Sequence, residues 1–264
     1  MATDNKPVTE NKAAAAKGAA IVTGASSGIG EEFARQLKQR GYDVVVVARR
    51  KDRLEALAKE IGGAEIIEAD LSTPAGVSAV EERIAKGDIE MLVNNAGFAT
   101  NGGFVDLPLE RELEEIDLNV RALTQLSHSA LGPMKERRSG TIINVGSTGS
   151  YQPIPYMSTY AATKAYVLFF SEGLHEEAKS YGVTVTCLTP GPVKTEFQEV
   201  SGVRAESMPA GWATPQQVVK LALNAAKSGS AIAVPGMVNK ATANLGRIAP
   251  RFMVRKISGR MFKK

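Results

Sequence analysis

Short β-branched and apolar runs alternate with longer stretches of helical periodicity from one end of the chain to the other. The apolar runs predict strands at Ala19–Thr23, Asp43–Ala48, Glu65–Ala69, Met91–Asn94, Thr141–Val145, Val183–Leu188 and Ala231–Val234. Several are apolar at nearly every position, as strands are when helices cover both faces of a parallel sheet. Between them, Ile29, Phe33 and Leu37 recur at four-residue spacing, and Val77, Val80 and Ile84 at three and four, which predicts amphipathic helices. Thr73-Pro74 and Thr214-Pro215 each set a capping hydroxyl before a proline at the first helical position. Gln217 completes a possible capping box with Thr214. The alternation predicts an α/β fold: a doubly wound parallel sheet of about seven strands with helices on both faces. No internal repeat or long linker divides the chain, so 18–264 is read as one catalytic domain. The polar, Ala/Lys-rich stretch 1–17 is read as a disordered lead-in.

The first strand runs into Thr23-Gly24-Ala25-Ser26-Ser27-Gly28-Ile29-Gly30, and a helix follows. Glycines let a backbone turn tightly and approach a pyrophosphate, and the helix N-terminus offers unpaired N–H groups to the anion. Placed between a strand and an amphipathic helix, the cluster predicts a Rossmann-type dinucleotide site. NAD-specific sites carry an acid at the end of the second strand, about 20 residues past the glycines. Ala48 stands there instead, followed by Arg49 and Arg50. A missing carboxylate removes repulsion against a 2′-phosphate, and a guanidinium can bind one bidentately, so NADP(H) is the expected cofactor. A solvated helix start describes Arg50 better than Arg49.

Tyr160-Ala161-Ala162-Thr163-Lys164 opens a long helical stretch, and residues at i and i+4 share one helix face. A phenol with a pKa near 10 is a poor acid/base at neutral pH, and a nearby cation, together with the positive nicotinamide ring, is expected to lower it. General acid–base catalysis requires such tuning. Ser147 ends the fifth strand thirteen residues earlier, with a hydroxyl able to hydrogen-bond a substrate carbonyl.

The Gly-x-x-x-Gly-x-Gly spacing, Asn94-Asn95-Ala96-Gly97, Asn119 within Asp117-Leu118-Asn119-Val120, Ser147 and the Tyr160/Lys164 pair together resemble the short-chain dehydrogenase/reductase family. From about Gly18 the chain is similar to that family's DltE-like reductases. The resemblance implies that Asn119, Ser147, Tyr160 and Lys164 are catalytic. Hydride would pass between a nicotinamide and a carbonyl carbon while Tyr160 gives or takes the proton and Ser147 orients the oxygen. Lys164 would bind the nicotinamide ribose and depress the Tyr160 pKa, and Asn119 would help hold a water-linked proton path. The resemblance also implies cofactor contacts from Gly24, Ser26, Ser27, Gly28, Ile29, Gly30, Arg49 and Arg50. Asp70 and Leu71, then Asn95, Ala96 and Gly97, and finally Pro190, Gly191, Val193 and Thr195 complete that set. Asp70 has a plainer reading as a turn residue. Some NADP-using relatives carry a basic residue at Ser27, and its absence shifts the 2′-phosphate preference onto Arg49.

Beyond Thr195, the segment 195–212 carries Phe197, Val200, Val203, Met208 and Trp212 among glycine and polar residues. It reads as a mobile lid over an apolar pocket, or as a plain surface loop. Tyr151, Ile154, Tyr156 and Met157 are expected on the opposite wall, so the substrate is expected to be a small hydrophobic carbonyl or alcohol. Two other functions stay open: a 3-oxoacyl thioester reductase of lipid metabolism, and a non-catalytic NADP(H)-sensing module. The presence of both Tyr160 and Lys164 argues against the second.

At 44% hydrophobic and 23% charged residues, the composition is that of an ordinary globular protein. Cys187, the single cysteine, excludes an internal disulfide and reads as an inert core thiol. No apolar run approaches the ~18 residues of a membrane span, and 1–17 lacks the apolar core of a secretory signal, so a cytoplasmic protein is expected. No Cys/His cluster suggests a metal. His128 and His175, in polar helical contexts, are expected at the surface. Charge changes the picture more. The net charge is +4, yet eight Lys/Arg and no Asp/Glu lie from Lys240 onward, leaving −4 for the rest. Basicity confined to one segment is a poor nucleic-acid footprint, and no nucleic-acid partner is expected. In 240–264, Leu245, Ile248 and Phe252, then Met253, Ile257 and Met261, recur at helical spacing among Arg247, Arg251, Arg255, Lys256 and Arg260. Pro250 interrupts any single helix. A basic amphipathic segment can pack on its own domain or within a homo-oligomer (dimer or tetramer), lie on an anionic membrane, or dock an acidic carrier.

Overall fold

The apolar runs assemble into one seven-stranded parallel sheet of order β3-β2-β1-β4-β5-β6-β7. The structure, a computed structural model, describes residues 17–202 and 213–263. Residues 1–16 of the expected lead-in, and Val203, Met208 and Trp212 of the expected lid and pocket, lie outside the described residues. The strands are β1 Lys17–Thr23, β2 Tyr42–Ala48, β3 Glu65–Glu68, β4 Ile89–Asn94, β5 Gly140–Val145, β6 Val183–Leu188 and β7 Ile232–Ala233. Lys17 therefore belongs to the sheet and not to the lead-in; its N–H donates to the Gly41 carbonyl at 3.2 Å. At the far edge β7 keeps two of its four expected residues, because only Cys187 and Leu188 of β6 pair with it.

The helices are α1 Gly28–Gln39, α2 Lys51–Glu60, α3 Pro74–Ile84, α4 Leu109–Ile116, α5 Leu123–Glu136, α6 Ser158–Lys179, α7 Phe197–Ser201, α8 Pro215–Lys227, α9 Met237–Ile248 and α10 Arg251–Phe262. Thr73 and Thr214 cap α3 and α8 as the Thr-Pro signals predict, and Thr214 with Gln217 forms a complete capping box. Pro250 stands between α9 and α10 and breaks the basic segment into two helices. Strand side chains alternate between the two faces. Val22, Val44 and Val46 meet Phe33, Leu37, Leu54 and Val218 on one side. On the other side Ile21, Val45 and Val47 meet Val77, Val80, Ile84 and Leu126. Each fully buried side chain of this size contributes about 1.5–3 kcal/mol of hydrophobic stabilisation.

Two core residues sharpen the sequence reading. Cys187 is fully buried, and that burial pushes its thiol up to about 12, which leaves it unreactive. His175 is buried, not at the surface: its Nδ1 donates to the Val185 carbonyl at 2.6 Å, which satisfies the ring where α6 crosses the sheet. His128 is exposed as expected. The strand order reverses between β1 and β4, and at such a reversal a crevice opens beyond the carboxyl ends of the strands.

Candidate active site

At the β1 end of the crevice, close packing imposes the glycines. Gly24 has φ +65°, and a Cβ there would lie 2.9 Å from the Ala96 Cα. At Gly30 a Cβ would meet the Gly24 carbonyl oxygen at 2.3 Å, so α1 can start here only on a residue without a side chain. Ser27 occupies the N-cap of α1 in extended conformation without using its hydroxyl as a cap, leaving the first-turn N–H groups for an outside acceptor. Asn95 ties this loop to β4: its Nδ2 donates to the Thr23 carbonyl at 2.9 Å, and its backbone N–H donates to the Thr23 hydroxyl at 2.9 Å. Ala96 N–H makes the same contact at 3.0 Å. Thr195, reaching over from the segment after β6, packs against Gly28 so closely that a Cβ there would stand 2.8 Å from its methyl. The side chains of Ile29, Leu71 and Val193 go to the core and leave only backbone groups for a cofactor.

The two arginines exchange their expected places. Arg50, read from sequence as a solvated helix start, lies against the glycine loop, where its Nη2 donates to the Ser26 hydroxyl at 3.0 Å and its Nη1 to Glu196 at 2.9 Å. Arg53 also pairs with Glu196, and the hydrogen bonds from Arg53 and Arg50 hold that carboxylate below its usual pKa. Arg49 is the more exposed of the two, with Asp70 at 3.6 Å and Glu114 at 3.7 Å. Asp70 organises the turn after β3, accepting from the Ser72 N–H at 3.0 Å and the Ser72 hydroxyl at 2.7 Å. Partial burial works to raise its pKa, but these bonds and the Arg49 charge together lower it.

Asn119, Ser147, Tyr160 and Lys164 converge where β4, β5 and α6 meet. Asn119 sits in a π-helical turn, Asp117–Ala122, that interrupts the passage from α4 to α5. There its Nδ2 donates to the Phe98 carbonyl at 3.0 Å and to the Thr163 hydroxyl at 3.1 Å. Lys164 is buried, its Nζ donating to the Val145 carbonyl at 2.8 Å and lying 5.9 Å from the Tyr160 ring centre. Ser147 heads the short turn after β5, where its hydroxyl accepts from Gly149 N–H at 3.0 Å and it hydrogen-bonds the Tyr160 phenol. The expected lowering of the Tyr160 pKa involves the nicotinamide ring as well as Lys164; in the protein alone the balance is set by burial. Burial raises the phenol to about 12, outweighing the Ser147 hydrogen bond. Burial also lowers Lys164 to about 8, so its own charge is disfavoured.

A buried acid pair went unread in the sequence. Glu115 accepts from Thr100 N–H at 2.9 Å and from its hydroxyl at 2.8 Å, and Glu112 accepts from the Thr159 hydroxyl. The second oxygen of each carboxyl has no hydrogen-bond partner. Burial raises Glu115 to about 7, with Glu112 adding to the shift and the Thr100 bonds and Lys164 opposing it. The available signal was the i, i+4 spacing of Glu115 and Asn119, which aims both toward the same interior.

On the substrate side the structure gathers Ile154, Met157 and Phe197 around Tyr160, with the Phe197 ring centre 5.7 Å from that of Tyr160. Phe262 of α10 joins them, a residue the sequence reading did not place there. Tyr151 departs from its expected wall. Its phenol shares a hydrogen bond with the Thr189 hydroxyl at 3.2 Å, and its ring packs with Leu123, Val167 and Ile232. It lines instead a cavity of about 870 Å³ at the β7–α8–α9 edge of the sheet. Tyr156 contributes backbone: at φ +68°, its carbonyl accepts from Gly102 N–H at 2.9 Å and from Asn101 at 3.4 Å, joining two loops of the mouth. A parallel bridge between Val193 and Ala213 closes the base of the loop that starts at Thr195 and carries α7.

The family model for short chain dehydrogenases matches residues 18–204. The chain is 35% identical over 195 residues to a very-long-chain 3-oxoacyl-CoA reductase of Anas platyrhynchos, covering 69% of this chain and 62% of that one. It spans about three fifths of the length of the first curated relatives it matches. Among solved structures, a short-chain dehydrogenase from Sphingobium yanoikuyae in complex with NADPH superposes with a TM-score of 0.79 at 34% identity, covering 89% of this chain and 97% of that one. A 3-ketoacyl-(acyl-carrier-protein) reductase from Brucella melitensis complexed with NADH superposes with a TM-score of 0.75 at 29% identity, covering 83% and 96%.

Proposed function

The chain belongs to the short-chain dehydrogenase family, and from that footing we propose that it is an NADP(H)-dependent reductase of hydrophobic carbonyl compounds, of the DltE-like branch. The observation that carries the reading is Tyr160, buried against Ser147 and beside Lys164 at the foot of an apolar wall. The glycine cradle from Gly24 to Gly30 fits a pyrophosphate, and Arg50, seconded by Arg49, fits a 2′-phosphate. Lys164 and Thr195 would hold the nicotinamide half. A bound nicotinamide supplies or accepts the hydride. The chain's own work is then proton transfer and positioning. Ser147 donates to the carbonyl oxygen and holds it beside Tyr160, whose O–H protonates the developing alkoxide. In the protein alone, burial raises that phenol to about 12, which favours the protonated state that reduction needs. Ile154, Met157, Phe197 and Phe262 exclude water from the reacting carbon.

A second reading, reduction of 3-oxoacyl thioesters, is favoured by the likeness to the Anas platyrhynchos protein together with this apolar wall. Exposed Leu109, Leu113 and Ile116 on α4 and Phe169 on α6 support assembly into a dimer or tetramer. NADPH and NADH oxidation, followed over aliphatic ketones, aromatic ketones and 3-oxoacyl thioesters, tests the proposal. Turnover preferring NADPH is expected, and the best substrate class chooses between the two readings. NADPH binding with no turnover of any of them would leave a nucleotide-sensing module in place of the enzyme.

A further inference from the structure

The two faces of α10 have different chemistry. Inward, Ser258 donates to the Pro153 carbonyl at 3.0 Å, Gly259 passes so close to Pro155 that a Cβ would lie 3.3 Å from its ring, and Phe262 enters the cluster around Tyr160. The helix is therefore one wall of the substrate mouth. Outward, Met253, Ile257 and Met261 follow one another at four-residue spacing and are all exposed, with Phe252 exposed beside them. Lys256, Arg260 and Lys263 lie along the same exposed side, and Arg251 and Arg255 are exposed elsewhere on the helix. No carboxylate of a described residue pairs with any of these five cations, and the chain has no Asp or Glu from Lys240 onward.

An apolar stripe flanked along one side by Lys256, Arg260 and Lys263, with no acid on its helix, is the mirror of an anionic bilayer surface, where acyl chains take the stripe and headgroups take the charges. An acidic protein groove would use the cations but leaves no reason for a continuous stripe of Met, Ile and Met. A second copy of this helix would bring like charges together. No helix among the described residues is long and apolar enough to cross a membrane. We propose that α10 docks the chain on anionic lipid, setting the Phe262 side of the substrate mouth against the membrane so that carbonyl compounds dissolved in lipid reach Tyr160 without crossing water. The docking stands independently of the reaction assigned above; only the delivery of substrate rests on it.

Flotation of the full chain with phosphatidylcholine vesicles, with and without phosphatidylglycerol, tests the docking at low and at high salt. Two variants accompany it, Met253→Ser/Ile257→Ser and Lys256→Glu/Arg260→Glu, all at exposed positions, with thermal melts checking that they fold. Binding that needs phosphatidylglycerol, falls with salt and drops about ten-fold or more in either variant is expected. Absence of binding, or equal binding to neutral vesicles, overturns the proposal. So does light scattering that finds a wild-type assembly dissociating in the Met253→Ser/Ile257→Ser variant, since the stripe would then be an interface between copies. Docking lost in the variants with carbonyl turnover unchanged would refute lipid delivery while leaving the reductase reading intact.

Discussion

The two sides of the crevice hold their shape by different means. On the β1 side, the contacts run largely through backbone groups at strand ends: the Gly24 carbonyl under Gly30, and the Thr23 carbonyl and hydroxyl under Asn95 and Ala96 of the neighbouring strand end. Opposite, beyond Tyr160, the wall is made of side chains from three separate segments, Ile154 and Met157 after β5, Phe197 after β6 and Phe262 from α10. Backbone cradles recognise what every dinucleotide shares. A wall of side chains can be re-cut by exchanging one residue at a time, so it is where specificity can drift while the chemistry stays.

The sharpest way to separate the sides is to remove the group between them. Tyr160→Phe takes away the proton donor but keeps the ring beside Phe197, so kcat should fall by about 10²- to 10⁴-fold while NADPH affinity, measured by fluorescence titration, stays unchanged. Because burial holds the phenol near 12, wild-type reduction should be flat between about pH 6 and 9, and alcohol oxidation should climb with pH as phenolate becomes available. A cofactor affinity that falls together with kcat would mean that the two sides are one unit.

Next in size is the Arg50 contact. Arg50→Ala should lower the preference for NADPH over NADH by about 10- to 100-fold, the worth of a charge-assisted hydrogen bond of ~1.5–3 kcal/mol. Glu196 occupies the same guanidinium, so Glu196→Gln should move NADPH affinity the other way, more strongly at low salt. If Arg49→Ala proves the costlier change, the 2′-phosphate is read at Arg49, as the sequence alone suggests.

These two arginines also show what the sequence could and could not tell. Strand and helix identities were legible because both faces of the sheet are apolar and alternate, and because threonine caps and glycines leave local marks. The glycine loop, Asn95, Ser147, Tyr160 and Lys164 were legible because each lies at a strand end or one helical turn from a partner. Which arginine turns toward the loop was not, since it depends on Glu196, 146 residues further on. Tyr151 and Phe262 failed for the same reason. A hydrophobic residue near a motif looks like pocket lining until the packing of distant helices decides, and that packing sends Tyr151 to the β7 edge and brings Phe262 in. How strongly burial acts on Tyr160 and Lys164 was not legible either, because the spacing of two side chains says nothing about how far both are withdrawn from water.

Glu115, in the wall behind Lys164, ties the comparison to stability. Its folded-state pKa is raised to about 7 from an ordinary 4.5, so between those values the folded chain holds a proton that the unfolded chain releases. Stability from this group is therefore complete below about pH 4.5 and is lost as pH rises through 7. Glu115→Gln keeps an oxygen for the two Thr100 donors and removes the titration. Denaturant melts should show the variant more stable than wild type above pH 7, by on the order of 2 kcal/mol, with the gap closing toward pH 5. A gap independent of pH would show that Glu115 is ionised in the folded chain throughout.

The smallest effect tests the side-chain wall itself. Phe262→Ala removes an aromatic from the cluster around Tyr160 without touching the glycine cradle or the outward face of α10. Losing part of that apolar contact is worth roughly 1 kcal/mol, or about five-fold in binding. KM for a bulky hydrophobic ketone should rise by about that factor, while kcat and KM for a small ketone that does not reach α10 stay close to wild type. A change shared equally by large and small substrates would mean that Phe262 supports Tyr160 instead of shaping the pocket. A weaker affinity for NADPH would be the more damaging result. It would carry α10 across to the cofactor side and leave no wall that can vary independently of the cradle.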